Sequence, residues 1–242
     1  RNSPVLESVR VRVARNVRGL PYWHQLNERE QSGLARALLA PGTGLAMLFS
    51  PERDARWLQA PGILQRQEQG LLPRGVRYAG ESSDGRVLYY AGDEDHVRVQ
   101  WILRSDDALT ENLRGSDEKF RSFQAALESI LEQAGRLDRS YQWQFDPAYG
   151  YLTACPGIGG SGIRVSFLLN IRALRESGNW AAWQIRLKQQ GLEIRGAAGE
   201  GSPVLDRVQI SNRFWQAAGS RGMRRELARM LVLMERIVQA GS

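Results

Sequence analysis

Five arginine residues lie inside segments that alternate between apolar and polar residues. Residues 9–13 read Val-Arg-Val-Arg-Val, and a β-strand with this period of two places its valines on one face and its arginines on the other. The arginines of this kind are Arg10, Arg12, Arg98, Arg164 and Arg195. If they converge on one sheet, they form a positive floor for a triphosphate, because each planar guanidinium donates paired hydrogen bonds to phosphate. The alternative, which is the common case for a single strand arginine, is a solvated polar face.

Two glutamates stand where a carboxylate could act on a substrate nitrogen. Glu94 belongs to an acidic turn at residues 93–96 (Asp-Glu-Asp-His) that leads into the Arg98 strand, and Glu200 lies between glycines in residues 199–201. A carboxylate beside a nitrogen can orient it or accept its proton, and the glycines allow the second loop to close over a ligand. Taken alone, the acidic turn favours the alternative of an exposed turn of acids, and the alternative for the second segment is a plain surface loop.

Cys155 is the one cysteine of the sequence, which excludes an intramolecular disulfide and a cysteine-rich zinc site. It precedes a glycine-rich stretch, residues 157–162, that lacks the Gly-Lys-Ser/Thr ending of a Walker phosphate loop. A lone cysteine is most often a small buried hydrophobe, whereas nearby arginines would favour its thiolate and a contact with substrate. His24 and His96 are too few for a histidine metal site.

The composition is that of an ordinary folded protein with an excess of positive charge. The chain has 242 residues, of which 42% are hydrophobic, and its formal net charge is +7. All of its 33 basic residues except Lys119 and Lys188 are arginine. This balance suits nucleic-acid binding, a pocket for a compact polyanion, or a plain arginine-rich surface, but no run of five basic residues supports the first. No apolar stretch is long enough to span a membrane and no leader is seen, so we expect a cytoplasmic protein without a membrane partner.

Periodicity predicts the elements that must position these residues. A period of two predicts strands over residues 9–13 and 96–103. Strands are also predicted over 86–91, 163–169, 191–196 and 206–211, and a hairpin over 141–146 and 149–155 around Asp146. A helical period predicts helices after a capping box at Asn27 and Glu30, and over 117–134, 178–189 and 221–239. Residues 51–85 predict only a short helix and loops. Helices separated by hairpin-like strands are typical of an α+β fold with a mainly antiparallel sheet.

Five segments share their residues and their order with a known family. Residues 8–16 read Ser-Val-Arg-Val-Arg-Val-Ala-Arg-Asn, residues 93–100 read Asp-Glu-Asp-His-Val-Arg-Val-Gln, and residues 150–156 read Gly-Tyr-Leu-Thr-Ala-Cys-Pro. Arg-Gly-Ala-Ala-Gly-Glu-Gly-Ser at 195–202 and Gln-Ile-Ser-Asn at 209–212 follow. Together they resemble the catalytic domain of the phosphagen (guanidino) kinases, and most of all the bacterial protein-arginine kinases. The resemblance runs from about residue 8 to residue 239.

The resemblance implies a fold and a role for each candidate residue. The fold would be a large antiparallel sheet flanked by helices, the glutamine-synthetase-like catalytic domain. The phosphates of ATP, with Mg²⁺, would be held by Ser8, Arg10, Arg12, Arg98, Arg164 and Arg195. Glu94 and Glu200 would clamp the acceptor guanidinium, with Glu94 as the better candidate for the base, and Cys155 would lie against the same group.

The sequence also departs from the family pattern. Residues 155–158 read Cys-Pro-Gly-Ile in place of Cys-Pro-Thr-Asn, so the substrate loop loses its asparagine. Residues 164–168 read Arg-Val-Ser-Phe-Leu in place of Arg-Ala-Ser-Val followed by His or Met, which would alter the adenine pocket. Trp57 falls where the family often has a histidine against the nucleotide. We expect residues 1–242 to form a single catalytic domain, without the N-terminal helical domain or the C-terminal dimerisation domain of relatives, and of unknown oligomeric state.

The predicted function is the ATP-dependent phosphorylation of a guanidinium group, with arginine side chains of proteins as the acceptor. An open site, expected without the N-terminal domain of the animal enzymes, favours a protein substrate over the first alternative, a free guanidino compound such as arginine. A second alternative is a non-catalytic module that binds nucleotide or phosphoarginine; the altered Cys155 loop motivates it, and the retained Glu94, Glu200 and arginines oppose it. Nucleic-acid binding is a third, disfavoured alternative.

Overall fold

The computed structural model describes residues 5–38, 46–49, 78–81, 87–104, 125–132, 141–197, 203–213 and 219–240, together with residues 135, 137 and 139. The strands are β1 (Val5–Arg15), β2 (Ala46–Phe49), β3 (Tyr78–Glu81), β4 (Val87–Ala91), β5 (Val97–Arg104), β6 (Phe145–Asp146), β7 (Gly150–Tyr151), β8 (Ile163–Asn170), β9 (Leu192–Gly196) and β10 (Arg207–Asn212). The helices are α1 (Glu28–Leu38), α2 (residues 125–132), α3 (Arg172–Glu176), α4 (Trp180–Gln189) and α5 (Gly219–Ala240), with short 3-10 helices at Trp23–Gln25 and Pro156–Ile158.

Eight of these strands form one sheet in the order β2-β3-β4-β5-β1-β8-β10-β9. Every neighbouring pair in it is antiparallel. β1 is the longest strand and pairs on one side with β5 and on the other with β8, so segments more than 80 residues apart in sequence become neighbours. This arrangement confirms the predicted α+β fold with a large antiparallel sheet.

One face of the sheet forms the core. Val11 of β1 lies between Trp101 of β5 and Val165 of β8, and all three side chains are buried. All five described helices pack residues into the same cluster: Leu38, Leu127, Leu174, Leu187 and Met230. Because side chains alternate between the faces of a strand, burial of the valines of β1 on this face fixes its arginines on the other.

The predicted start of the first helix is confirmed in detail. The backbone N–H of Glu30 donates to Oδ1 of Asn27 at 3.0 Å, and the N–H of Asn27 donates to Oε2 of Glu30 at 2.9 Å. This reciprocal pair satisfies two amide groups that the helix itself leaves without partners. The α1 helix that follows buries Ala35 and Leu38.

Several predicted elements were wrong in extent. The hairpin at Asp146 forms, because Oδ1 of Asp146 accepts the N–H groups of Ala148 and Tyr149, but its strands are only two residues long and residues 152–155 are not a strand. Strand β3 lies within residues 51–85, where no strand was expected, and most of that segment lies outside the described residues.

The helical predictions also needed one correction. The helix predicted from residue 178 starts at Trp180, because Gly178 has a φ of +75° and separates it from α3, which was not predicted. The helix predicted over 117–134 is helical where the structure describes it, at 125–132. In the described part of the chain, no helix combines the length and the apolar character that a membrane span requires.

We expect the substitution Leu169→Ala to lower the free energy of unfolding by about 2–5 kcal/mol, because it leaves a cavity in the core. Leu169 is 0% exposed and lies between Leu6 of β1 and Val208 of β10. The matched control is Leu205→Ala, whose side chain is 61% exposed and whose loss should change stability by no more than about 0.5 kcal/mol. Urea denaturation of both variants measures the difference, and equal losses would contradict the assignment of the core face.

Candidate active site

The strand register brings the five arginines onto one face of the sheet. Arg12 of β1 lies opposite Arg164 of β8 and opposite Gln100 of β5. Arg10 and Arg98 point to the same face, because Arg10 is two residues from Arg12 and Arg98 is two residues from Gln100.

A second row of paired residues reaches the edge of the sheet on the same face. Ser8 of β1 lies opposite Leu168 of β8, Leu168 lies opposite Gln209 of β10, and Gln209 lies opposite Arg195 of β9. The predicted residues Ser8 and Arg195 therefore share the face that carries the other four arginines, although their strands are separated by β8 and β10.

Burial and mutual repulsion perturb these arginines. Burial, followed by the charge of Arg12, lowers the pKa of Arg10 to about 9. Burial also lowers the pKa of Arg12, and the charges of Arg98 and Arg195 lower it further. The pKa of Arg164 is lowered by burial and then by Arg195. Positive groups that are desolvated and close to one another are stabilised by an anion placed among them, and such perturbation is typical of functional sites.

Some hydrogen-bonding capacity of this face is unused within the described part of the chain. The Nε atoms of Arg98 and Arg164 and the Oγ of Ser166 are buried and make no hydrogen bond there. In contrast, Nε of Arg12 donates to Oε1 of Gln100 at 3.2 Å. Buried polar groups without partners are uncommon in native proteins, so these atoms mark the face as a place where a polar ligand would gain hydrogen bonds.

The acidic turn holds Arg98. Its guanidinium pairs with Asp93, with Oε2 of Glu94 at 2.7 Å and with Oδ2 of Asp95 at 3.3 Å. Burial alone would lower the pKa of Arg98, but Tyr90, these aspartates and the bond to Glu94 outweigh it and raise that pKa. Glu94 is 57% exposed, so the predicted base lies beside a predicted phosphate ligand and in contact with solvent.

Asp95 connects the acidic turn to the loop that carries Cys155. The sequence did not predict this connection. Its Oδ1 accepts from Nδ2 of Asn16 at 2.7 Å and from the N–H of Ala154 at 2.8 Å. Asn16 also donates to the carbonyl of Leu152 at 3.1 Å and accepts the N–H of His96 at 2.9 Å. Asp95, Asn16 and His96 are all buried. This Asp95 network therefore fixes the end of β1, the acidic turn and the residue before Cys155 relative to one another.

His96 is a neutral structural residue. The N–H of Val17 donates to Nδ1 at 2.9 Å, and Nε2 lies 2.7 Å from the carbonyl oxygen of Pro21, which fixes the proton on Nε2. Burial lowers the pKa of His96, although the bond to Pro21 and the charge of Asp95 oppose this. Both ring nitrogens are used, and among the described residues no group of three or more His, Cys, Asp or Glu side chains could hold a metal ion.

We call the side of the sheet that carries Arg10, Arg12, Arg98, Arg164 and Arg195 the arginine face. The loop that carries Cys155 lies against it. A Cβ atom built on Gly157 would be 3.5 Å from Nη2 of Arg164 and 3.6 Å from Sγ of Cys155. Gly157, which stands where the family has threonine, thus lies between the thiol and the guanidinium. The hydroxyl of Thr153 donates to the Cys155 carbonyl at 2.8 Å and tightens the turn.

A buried arginine fixes the far end of this loop. The guanidinium carbon of Arg15 is 3.6 Å from the centre of the Tyr151 ring, and Nη1 donates to the carbonyls of Ala14 and Ser161 at 2.9 and 3.1 Å. Gly162 has a φ of +63°, and a side chain there would collide with Arg15. Arg15 is 1% exposed, and these contacts hold the end of the loop.

Glu193 is a further residue of this face that sequence reasoning missed. Its Oε2 lies 2.9 Å from Nη2 of Arg195 and 3.5 Å from Nη2 of Arg164. The signal was present, since Glu193 is two residues before Arg195 in a predicted strand and must share its face. The predicted residues Glu200 and Trp57 lie outside the described residues, so their positions stay predictions.

We expect Asp95→Ala to lower the free energy of unfolding by about 3 kcal/mol, because it leaves buried donors and part of a buried charge uncompensated. Asp95→Asn keeps an acceptor for Asn16 and Ala154, and should cost about 1 kcal/mol. The reaction rate of the sole thiol with a chromogenic disulfide gives a second measurement. Asp95→Ala should speed modification of Cys155 more than Asp95→Asn does; identical rates in both variants and the parent would show that Asp95 does not hold the loop.

Comparison with known proteins agrees with this geometry. The family model described as the ATP:guanido phosphotransferase C-terminal catalytic domain matches residues 73–218, more than half of the chain. A protein-arginine kinase of Moorella thermoacetica is 31% identical over 226 residues, which cover 87% of this chain and 59% of that protein. A protein-arginine kinase of Caldanaerobacter subterraneus is 30% identical over 225 residues, or 86% and 60%. The chain thus spans about three fifths of the length of these relatives.

Solved structures show the same fold. The substrate-free duplicated taurocyamine kinase from Schistosoma mansoni superposes with a TM-score of 0.68 at 19% identity, covering 98% of this chain and 32% of that one. Lombricine kinase gives a TM-score of 0.59 at 23% identity, covering 98% and 68%. With the matched catalytic-domain model and the shared sheet, these relationships confirm the resemblance drawn from the motifs: the chain belongs to the ATP:guanido phosphotransferase family.

Proposed function

We propose that this protein transfers the γ-phosphoryl group of ATP to the guanidinium group of arginine side chains in proteins. The observation that carries the proposal is the convergence of five arginines on one sheet face, with Glu94 and Cys155 at its border. The names of the relatives support the choice of arginine in proteins. We place the activity in the cytoplasm, where ATP is supplied.

The arginine face would act mainly by positioning and charge. The transferred phosphoryl group carries negative charge on its outer oxygens, and fixed positive donors that surround it lower the barrier without covalent chemistry. Arg12 of β1 and Arg164 of β8 lie opposite each other in the register. They would donate hydrogen bonds to neighbouring phosphates. Mg²⁺ binds phosphate oxygens readily, so it would enter the site together with the nucleotide and add positive charge there.

The acceptor side would be handled by Glu94 and Cys155. A guanidinium is a poor nucleophile because its lone pairs are delocalised and its pKa lies above 12. The Glu94 carboxylate and the Cys155 side chain, holding it, would align one nitrogen with the γ-phosphorus; as the N–P bond forms and the bond to ADP breaks, the nitrogen loses its proton to the carboxylate. Arg98 now holds Glu94 at 2.7 Å. When Arg98 turns to a phosphate, Glu94 would be released toward the acceptor.

A transfer assay with two acceptors tests the proposal. The protein is incubated with radiolabelled ATP and either an arginine-rich unfolded protein or free arginine, and phosphate bound to nitrogen is identified by its lability in acid. We expect label on the protein acceptor. Label on free arginine alone would replace the proposed substrate by the first alternative, and specific ATP binding without transfer to either acceptor would favour the non-catalytic module.

We expect Glu94→Gln to retain ATP affinity, with any change toward tighter binding because Arg98 loses one of its carboxylate partners. We expect it to reduce turnover by roughly two orders of magnitude or more, because the amide cannot accept the proton. The side chain is exposed, so the variant should fold normally. Glu176→Gln, at an exposed position on α3, is the matched control and should retain full turnover. Steady-state rates together with calorimetric ATP titration separate the two effects; unaltered turnover in Glu94→Gln would remove Glu94 from the mechanism.

A further inference from the structure

The arginine face contains its own negative charges. At least four carboxylates contact three of these arginines: Asp93, Glu94 and Asp95 pair with Arg98, and Glu193 contacts Arg195 and Arg164. A polyphosphate that binds there must share the guanidinium groups with these carboxylates or displace them. Which carboxylates can move therefore decides how tightly the face holds a phosphate chain.

The four carboxylates differ in mobility and in how many arginines they contact: Glu94 is 57% exposed and pairs with Arg98, whereas Glu193 contacts two arginines. Asp95 is 0% exposed and is held by Asn16 and by the backbone of the cysteine loop, so it stays in place. The side chain of Glu193 is 29% exposed and projects from β9, the last strand in the sheet order. A rotation about its side-chain bonds would carry it from the face into solvent without disturbing a neighbouring strand.

Glu193 also has the geometry of a bound phosphate oxygen. A single oxygen, Oε2, lies 2.9 Å from Nη2 of Arg195 and 3.5 Å from Nη2 of Arg164, and thus joins guanidinium groups from β9 and β8. These two arginines repel each other, since Arg195 contributes to the lowered pKa of Arg164 and Glu193 opposes that effect. A phosphate oxygen in the same position would make the same charge-assisted contacts.

We infer that Glu193 is an internal competitor of the phosphate chain, which sets the affinity of the arginine face for polyphosphates by occupying the bridge between Arg164 and Arg195. This role deepens the proposed function and rests on it for the identity of the physiological ligand, ATP. It does not require that the protein turn over, because the competition concerns binding alone.

The experiment measures binding of inorganic tripolyphosphate, which has neither base nor sugar, by isothermal calorimetry at fixed salt. Glu193→Gln retains the shape of the side chain and removes its charge, so we expect binding about tenfold tighter than that of the parent protein. Glu193→Asp retains the charge and should bind within about twofold of the parent. ATP is titrated in the same way to compare the nucleotide with the bare phosphate chain.

The chain offers a closely matched control in Glu226. Glu226 also pairs with an arginine, Arg229, and is 28% exposed, but it lies on α5, which packs on the opposite, apolar face of the sheet. Glu226→Gln changes the net charge by the same amount and should leave tripolyphosphate binding unchanged. An equal gain in Glu226→Gln and Glu193→Gln would show a general effect of net charge and would overturn the inference.

The outcomes separate this inference from the proposed function. If Glu193→Gln binds tripolyphosphate no more tightly than the parent protein does, the inference is overturned. This holds whether or not the parent transfers phosphate. Loss of thermal stability in Glu193→Gln with no gain in affinity would identify a purely structural ion pair, with the same consequence. Tighter binding without any phosphate transfer to arginine by the parent supports the internal competitor and counts against the kinase.

Discussion

The sheet gathers guanidinium groups on one face, and the rest of the structure must offset the repulsion among them. Two unit charges about 4 Å apart repel by roughly 4 kcal/mol at the effective dielectric of a protein surface, so negative groups placed among nearby guanidinium groups stabilise such a face. In this structure carboxylates of the acidic turn and of β9 contribute that charge. The same requirement makes the face a binding surface for phosphates, because a polyanion can take over the contacts of the carboxylates that are able to move.

The apolar layer on the other side is what makes this concentration of charge possible. β1 pairs with both β5 and β8, and its valines are covered by side chains from the helices. Burial of this face holds the strand register, because a shift by one residue would place valines in solvent and arginines in the core. The stability of the helical layer and the chemistry of the polar face are therefore two consequences of one alternating pattern.

The loop of Cys155 departs from the family pattern in sequence, but contacts from outside the loop hold it in place. Within the loop the family residues threonine and asparagine are replaced by Gly157 and Ile158. The loop is nevertheless anchored from outside by Asp95 and Asn16 at one end and by Arg15 beneath Tyr151 at the other. The replacements change the surface between the thiol and Arg164 and leave these anchors intact, so they alter what the loop presents more than where it lies.

The faces of the strands follow from local pattern, since Val-Arg-Val-Arg-Val has one outcome in a sheet, and so does the α1 cap, where both partners lie within four residues. Family motifs also identified the arginines and Glu94, whose catalytic and binding roles stay predictions. Three contacts became visible through the folded arrangement alone: Arg12 lies opposite Arg164, Asp95 bonds to Asn16 from 79 residues away, and Glu193 joins two strands. The period of the hydrophobic pattern indicates on which face of the sheet a residue lies. Its partner on the neighbouring strand depends on pairing between distant segments, which a local pattern does not contain.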